Sequence, residues 1–249
     1  GCQVSDDVRT PSQNFSAVVI DSKVNGLSVA RSLSLRGGWV CLLDHSRATP
    51  AFVSRHVREH YVVPAPHDSP DQLIGEMTRI GEALAQKTGN KPFLFPMNDQ
   101  YLIPFAMRWS ELDAWYRPTF EVDYDRLLMI MDKVKLPELA KRARVPVPPT
   151  LLSPLSNVEL ASRKYPLIVK PSIKGAVDPS KVETSRLKVC SSPLEATSVI
   201  EELSRHGIPY VVQEMIPGPD SALYTVGLHA NRGEVGVHFV GRKLRQYPP

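Results

Sequence analysis

An alternation of buried strands with helices, starting at Ser16, constrains the fold of this chain most. SAVVID and WVCLLD are apolar runs typical of buried strands, and LSVARSLSLRG between them has helical spacing and ends at Gly37. A second helical stretch from Asp71 to Gln86 precedes the short apolar run FLFP. Because such strands are apolar on both sides, we predict an α/β fold with a parallel sheet covered by helices on both faces.

The pattern changes near Glu121. Two helical stretches, YDRLLMIM and VKLPELAKRAR, lead into VPVPPT, whose prolines hold the chain extended. The strands YPLIVK, SRLKVC and PYVVQEM follow, with a helix whose predicted capping box is Ser192, Pro193 and Glu195. Two last strands, ALYTVGLHA and GEVGVHFVG, are joined by the hairpin signal NRG. We therefore predict a second part that is α+β and largely antiparallel.

Composition narrows the class of protein. The chain has 249 residues with 42% hydrophobic residues, enough for one large or two modest domains. Its net charge of +4 is too small to favour nucleic acid, and three cysteines without a C-x-x-C pair favour a reducing compartment. The longest apolar run, LLMIM, is far below the roughly 20 residues of a membrane span, and no signal-peptide core leads the sequence. We expect a cytoplasmic protein with no nucleic-acid or membrane partner.

His56, Glu59 and His60 spell H-x-x-E-H. On a helix this spacing places two imidazoles one turn apart beside a carboxylate, as zinc peptidases require. The stretch is short before YVVPAP, and no third ligand follows on a helix. We interpret it as a solvated helix end and predict no metal site.

A dinucleotide-binding unit is a further alternative. Asp44 ends the second strand, where such units carry the acid that binds ribose, but the first loop holds one glycine, Gly26. G-x-G-x-x-G is therefore not met, and Asp44 is interpreted as a strand-end or N-cap residue. Asn98 and Asp99 after FLFP are predicted helix N-caps with room for substrate contact.

Three separated segments share residues suited to a nucleoside triphosphate. They are DKV from Asp132 to Val134, YPLIVK ending in Lys170, and VVQEMIPGPD from Val211 to Asp220. A lysine that ends an apolar strand must meet an anion or reach solvent, and phosphate is such an anion. Taken singly, Lys170 also fits a surface lysine and PGPD a plain turn.

Together these segments resemble the ATP-grasp ligases in order and spacing. MDKVKLPELAKRARVPVPP is similar to the family's central helix with its leading lysine, YPLIVKPSIKG to the strand with the second phosphate lysine, and VVQEMIPG to the adenine hinge. GRKLRQYPP is most similar to D-aspartate ligases and related carboxylate-amine ligases. The resemblance implies a Rossmann-like pre-ATP-grasp domain followed by an α+β ATP-grasp domain that is incomplete at Pro249. The implied boundaries are a flexible lead-in 1–14, a pre-ATP-grasp domain 15–123 and an ATP-grasp domain 124–249, with linker helices 124–150, a first subdomain 151–214 and the start of a second 215–249.

Carried over residue by residue, the resemblance implies an ATP site. Lys133 and Lys170 would neutralise the α- and β-phosphates through charge-assisted contacts. Asp220 would accept hydrogen bonds from the ribose hydroxyls. The adenine edge would be read by Glu214 and by the backbone of Met215 and Ile216.

The flap over the phosphates and the transfer site follow from the same resemblance. The loop after the second lysine holds one glycine, Gly175, where many members are glycine-rich, and Ser172 and Lys174 would substitute for the missing amides. Lys243 and Arg245, two apart on a predicted strand, would meet the γ-phosphate or the substrate carboxylate. A solvated sheet face is the alternative for that pair.

The implied activity is ATP-dependent ligation of a small-molecule carboxylate to an amine through an acyl phosphate. ATP and Mg²⁺ are the implied cofactors, with the Mg²⁺ ligands expected beyond residue 249, so this fragment is expected to be inactive alone. A non-catalytic ATP-binding or regulatory module is the alternative, favoured by the sparse flap and the missing metal ligands. A Rossmann-type NAD-binding protein is the third possibility.

Overall fold

A parallel sheet forms the first part of the fold. The computed structural model describes residues 15–152, 154–172 and 187–244. In the first part, five strands run parallel in the order β3-β2-β1-β4-β5, which confirms the predicted α/β architecture. The strands are β1 (Ser16–Ile20), β2 (Trp39–Asp44), β3 (Glu59–Val62), β4 (Phe93–Pro96) and β5 (Arg117–Pro118).

Helices cover both faces of this sheet. All of β1 is buried, and its neighbouring residues face different cores: Val18 and Ile20 pack with Leu73 and Met77, whereas Val19 packs with Ala30 on the other side. None of the helices in the described ranges is both long and apolar enough to cross a membrane. The helices of this part are α1 (Val24–Ser34), α2 (Pro70–Thr88), α3 (Asp99–Met107) and α4 (Trp109–Leu112), with a 3-10 turn at Pro50–Val53.

The interpretation of H-x-x-E-H as a helix end is wrong. His56 lies in a turn, and Glu59 and His60 belong to β3 at the edge of the sheet. The Glu59 carboxylate accepts hydrogen bonds from Trp39 Nε1 and from the Tyr61 hydroxyl, both at 2.9 Å. Successive strand residues point to opposite faces, so the helical spacing that a zinc site needs is not formed.

The cap prediction after β4 is confirmed in one of its two residues. Asn98 is the N-cap of α3, and its side-chain oxygen accepts a hydrogen bond from the Gln100 amide at 3.1 Å. Asp99 is instead the first residue of the helix. Its carboxylate lies in the first turn, where negative charge is favourable.

An antiparallel sheet forms the second part, as predicted. Its four strands are ordered β6-β9-β7-β8. The predicted linker helix, α6, begins at Leu136, so Lys133 lies in the turn before the helix and does not open it as predicted. The division into domains 15–123 and 124–249 stays a prediction. The elements are α5 (Tyr124–Met131), α6 (Leu136–Arg142), β6 (Thr150–Leu152), α7 (Asn157–Ala161), β7 (Leu167–Pro171), β8 (Lys188–Cys190), α8 (Pro193–Arg205) and β9 (Tyr210–Glu214).

Helices α7 and α8 pack on one face of this sheet. In β7, Leu167 and Val169 are buried in the core that these helices form, while Ile168 and Lys170 alternate with them and are only half-buried. The opposite face of the sheet therefore carries Lys170. The apolar side chains of β7 thus face α7 and α8, and the polar side chain of Lys170 lies on the other face of the sheet.

The capping box predicted for α8 is half formed. Ser192 Oγ accepts from the Glu195 amide at 3.3 Å, but the Glu195 carboxylate accepts from the Ser191 amide and not from that of Ser192. A complete capping box occurs instead at α7, between Ser156 and Glu159. Both helices begin where their serines satisfy an amide that has no partner within the helix.

The predicted hairpin is confirmed. Strands β10 (Tyr224–Asn231) and β11 (Glu234–Arg242) pair antiparallel, and Arg232 and Gly233 form the turn with φ of 51° and 85°. Two residues with positive φ match the type I′ turn that suits the twist of a hairpin. A 3-10 turn, Asp220–Ala222, joins β9 to this hairpin.

Candidate functional site

A ladder of polar side chains crosses the face of the antiparallel sheet that lies opposite α7 and α8. Gln213 on β9 lies opposite Thr150 on β6 and diagonal to Lys170 on β7. Lys170 Nζ donates to Gln213 Oε1 at 2.5 Å, and Gln213 Nε2 donates to Thr150 Oγ1 at 2.7 Å. Because all three side chains are half-buried, each hydrogen bond fixes its neighbour and the ammonium of Lys170 is held in one place.

Lys133 lies beside Lys170 although 37 residues separate them in the sequence. The Lys133 amide donates to the Ser172 carbonyl at 2.9 Å, and its Nζ donates to the same oxygen at 3.2 Å. Ser172 is buried, and its own amide donates to the Pro209 carbonyl at 2.8 Å. The turn before α6 is thus attached to the end of β7, which brings the two lysines together.

The two ammonium groups affect one another. Burial lowers the pKa of Lys170, and the neighbouring charge of Lys133 lowers it further. Burial and the charge of Lys133 both disfavour the charged form of Lys170. An anion placed between the two ammonium groups would favour their charged forms and so offset both causes. The site therefore has the electrostatic character of an anion-binding site.

The predicted adenine hinge lies at the end of the same strand, β9. Glu214 is its last residue, and the Glu214 amide donates to the Pro149 carbonyl at 3.1 Å. The Met215 amide makes a long contact of 3.4 Å with the Pro166 carbonyl, so it is already engaged. Ile216 is 63% exposed, and its amide donates to no residue in the described part of the chain. Of the predicted hinge amides, that of Ile216 is the one open to a ligand.

Asp220 and Lys243 form an ion pair, with Asp220 Oδ2 3.2 Å from Lys243 Nζ. Lys243 follows the last residue of β11, so its predicted place on a strand is wrong, and its amide donates to the Leu223 carbonyl at 2.9 Å. The structure thus joins two residues to which the sequence assigned different roles. The predicted site residues Lys174, Gly175 and Arg245 lie outside the described residues.

Gln213 was not predicted as a site residue. It is a polar residue within the apolar run YVVQEM, and in an antiparallel pairing of β7 with β9 it falls on the face of Lys170. That pairing was the signal that could have identified it. Lys170 was predicted as a site residue, whereas Gln213, which accepts its hydrogen bond, was not.

In the dinucleotide alternative the Asp44 carboxylate would bind a ribose. In the structure this carboxylate is already hydrogen-bonded, to Ser22 in the loop between β1 and α1 and to Ser46 after β2. Asp44 Oδ2 accepts from the Ser22 amide at 2.7 Å and from Ser22 Oγ at 2.5 Å, and Oδ1 accepts from the Ser46 amide at 3.1 Å. Although burial raises the pKa of Asp44, these hydrogen bonds lower it below its usual value. A Cβ at Gly26 would lie 2.0 Å from the Asp21 carbonyl, so this glycine serves the packing of α1. Asp44 is a strand-end residue, as predicted, but it caps no helix.

The comparison with solved structures gives the fold. The chain is similar to the L-amino acid ligase from Bacillus licheniformis, with 14% identity, a TM-score of 0.63, and coverage of 95% of this chain and 52% of that one. N5-carboxyaminoimidazole synthetase from Staphylococcus aureus matches with 14% identity and a TM-score of 0.60, over 94% of this chain and 55% of that one. The biotin carboxylase domain of the Hydrogenobacter thermophilus 2-oxoglutarate carboxylase, in complex with MgADP, ADP and bicarbonate, matches with 16% identity and a TM-score of 0.52, over 81% and 44%. No protein-family model and no curated protein sequence matches the chain.

These similarities define the fold of the chain. The chain has the ATP-grasp fold, and the resemblance found in its sequence motifs is confirmed at the level of fold. It spans about half the length of the solved structures that it matches.

Proposed function

We propose that this chain is the nucleotide-binding part of an ATP-dependent ligase that joins a small-molecule carboxylate to an amine. The observation that carries the proposal is the convergence of Lys133 and Lys170 on the half-buried face of the antiparallel sheet. The similar structures support it, because they include an L-amino acid ligase and a carboxylase domain in complex with MgADP and bicarbonate.

The two lysines suit a polyphosphate. Burial and mutual repulsion lower the pKa of Lys170, and a phosphate with its negative charge relieves the repulsion between the ammonium groups. Each lysine then makes a charge-assisted hydrogen bond to a phosphate oxygen. In the proposed complex Lys133 and Lys170 contact the α- and β-phosphates, and Ser172 begins the flap over them, in which Lys174 and Gly175 would take part.

The nucleoside would lie along the end of β9. The open amide of Ile216 and the backbone of Met215 supply contacts to the adenine edge, and Glu214 accepts from its amino group. Asp220 would exchange its ion pair with Lys243 for the ribose hydroxyls. Lys243 would then meet the γ-phosphate or the substrate carboxylate, together with Arg245.

The proposed reaction has two balanced steps. A carboxylate oxygen of the substrate attacks the γ-phosphorus of ATP, ADP leaves, and an acyl phosphate forms. The amine nitrogen then attacks the acyl carbon, inorganic phosphate leaves, and the amine passes a proton to solvent. The work of the protein is positioning and charge neutralisation, which suits a site with lysines and no nucleophile.

Mg²⁺ is implied for this chemistry but does not fit the residues at hand. In residues 15–152, 154–172 and 187–244, no group of three His, Cys, Asp or Glu side chains could hold a metal ion. The single glycine of the predicted flap, Gly175, favours the second candidate, an ATP-binding module without catalysis, which would bind ADP and release no phosphate.

The proposal is tested by changing Lys170 to Met, which removes the charge and roughly keeps the volume. We expect ADP affinity measured by calorimetry to fall by about 10- to 150-fold, the equivalent of one charge-assisted hydrogen bond of roughly 1.5–3 kcal/mol. Adenosine affinity should be unchanged, because the lysine faces the phosphates. Lys188→Met is the matched control, an exposed lysine on β8 of the same sheet. Unchanged ADP affinity in Lys170→Met, or tighter binding of NAD than of ADP, would overturn the proposal.

A further inference from the structure

A cavity lies in the first part of the chain, at the carboxyl edge of the parallel sheet. It has a volume of about 400 Å³, within the range of small-ligand sites. Asp21, which follows β1, and Asn98, which follows β4, meet there, with Asn98 Nδ2 donating to Asp21 Oδ2 at 3.1 Å. Strand order reverses between β1 and β4, and open α/β sheets bind ligands at such switch points.

The wall of this cavity contains a hydroxyl without a partner, on a residue that is otherwise buried. Tyr101 is 3% exposed and lines the cavity, and its hydroxyl makes no hydrogen bond with any residue that the structure describes. Among those residues, Arg163 Nε is the one fully enclosed side-chain nitrogen or oxygen without a partner. The Tyr101 hydroxyl is therefore open to the cavity. A phenolic hydroxyl can both donate and accept a hydrogen bond, so this one has capacity for a ligand.

A carboxylate with unused acceptor sites lines the same cavity. Asp21 is 7% exposed and forms no ion pair with a described residue. Its carboxylate accepts from Asn98 Nδ2 and, at 3.4 Å, from the Lys23 amide, which leaves acceptor sites unused. Burial raises the pKa of Tyr101, and the charges of Asp44 and Asp21 raise it further, so the hydroxyl stays protonated.

From this arrangement we propose that the cavity binds a small molecule through a primary ammonium group. The ammonium would donate to the Asp21 carboxylate and to the Tyr101 oxygen, and its charge would offset the buried carboxylate. A metal ion is disfavoured, because the described residues hold no group of three ligating side chains. The rim carries side chains of both signs: Lys23, His45, His67 and Asp68. This inference stands apart from the proposed nucleotide site.

The test uses the whole chain and three probes. Ethanolamine carries the ammonium, ethylene glycol is a neutral probe of the same size, and acetate is an anion. Calorimetry at pH 7 and constant ionic strength should show 1:1 binding of ethanolamine and none of the other two. Equal binding of ethylene glycol, or no binding of ethanolamine, would overturn the proposal.

Two variants assign the binding to these residues. Asp21→Asn keeps the shape and tolerates the positive φ of 77° at this position, and Tyr101→Phe removes only the hydroxyl. Each should weaken ethanolamine binding by about 10-fold or more, the loss expected for a charge-assisted hydrogen bond. Tyr116→Phe is the matched control, because Tyr116 is also buried in this core but its hydroxyl already donates to the Met77 carbonyl. Unchanged affinity in both test variants, or an equal loss in Tyr116→Phe, would contradict the assignment.

Discussion

Gln213→Glu is the most informative change at the proposed nucleotide site, because it places a negative charge on the group that contacts Lys170 and keeps its shape. Gln213 Oε1 lies 2.5 Å from Lys170 Nζ, and a carboxylate of the same shape would turn this hydrogen bond into an ion pair. The ion pair should raise the pKa of Lys170, which burial and Lys133 now lower. A phosphate would then have to displace a carboxylate rather than a neutral amide.

The size of the effect follows from two similar estimates. In Gln213→Glu the phosphate replaces a carboxylate on Lys170, so one charge-assisted hydrogen bond is exchanged for another. The gain of roughly 1.5–3 kcal/mol that the phosphate obtains against a neutral amide is then lost. A carboxylate and a phosphate on either side of the same ammonium, about 5.5 Å apart, repel each other by about 3 kcal/mol at an effective dielectric constant near 20. The two estimates overlap in cause and are not added. We expect ADP to bind about 10- to 150-fold more weakly to Gln213→Glu.

Calorimetry with ADP and with adenosine measures this directly. Adenosine should bind Gln213→Glu and the unchanged protein equally, and the loss for ADP should shrink as salt is raised. Thr150→Val is the control, because it removes the acceptor for Gln213 Nε2 without adding charge, and its ADP affinity should change less than about 3-fold, a small effect in free energy. If ADP bound Gln213→Glu unchanged, or if adenosine weakened as much as ADP, the argument from the lysine's electrostatics would be refuted.

Three further predictions concern the first part of the chain. The pKa of Asp44 is lowered from its ordinary 3.8, so its ionised form contributes stability that is present above pH 3.8 and is lost as pH falls through the lower folded value. Asp44→Asn should therefore lower the melting temperature at pH 7, and this deficit should be smaller at a pH below 3.8. An equal deficit at both pH values would argue against this linkage. His56 and His60 share no helix face, so metal analysis of the purified protein should find no stoichiometric zinc, and zinc lost on changing either to Ala would disprove this. Tyr116→Phe removes a buried hydrogen bond of 2.7 Å to the Met77 carbonyl, which keeps its acceptor role within α2, and should lower the free energy of unfolding in urea by about 0.5–1.5 kcal/mol. Tyr101→Phe should lower it less, and the opposite ranking would exclude this argument.

Local signals in the sequence were sufficient for much of the fold. YDRLLMIM became α5 with no shift of its ends, FLFP became β4, and NRG became the turn of a hairpin. Each of these depends on neighbours within a few residues: an apolar face at helical spacing, a buried run, or a glycine at positive φ. Asn98 as an N-cap belongs to the same group, because its oxygen bonds an amide two residues away.

Contacts between distant segments overrode local signals elsewhere. Glu59 and His60 read as part of a helix end, yet pairing with β2 and hydrogen bonds from Trp39 and Tyr61 place them in an edge strand. Likewise the predicted capping partner of Ser192 reaches the amide of Ser191 instead. Propensity is a weak preference that tertiary contacts of a few kcal/mol exceed.

The sequence by itself determined which residues carry charge and where most of the strands lie, and Lys133 and Lys170 were named from the resemblance of their segments to the ATP-grasp ligases. Only the tertiary structure decided what surrounds them. Gln213 reaches Lys170 because β9 lies between β6 and β7 in one register, and Lys133 arrives through the Ser172 carbonyl. Strand order and register are set by the packing of whole elements, and a shift of one residue would move Gln213 to the face that α8 covers.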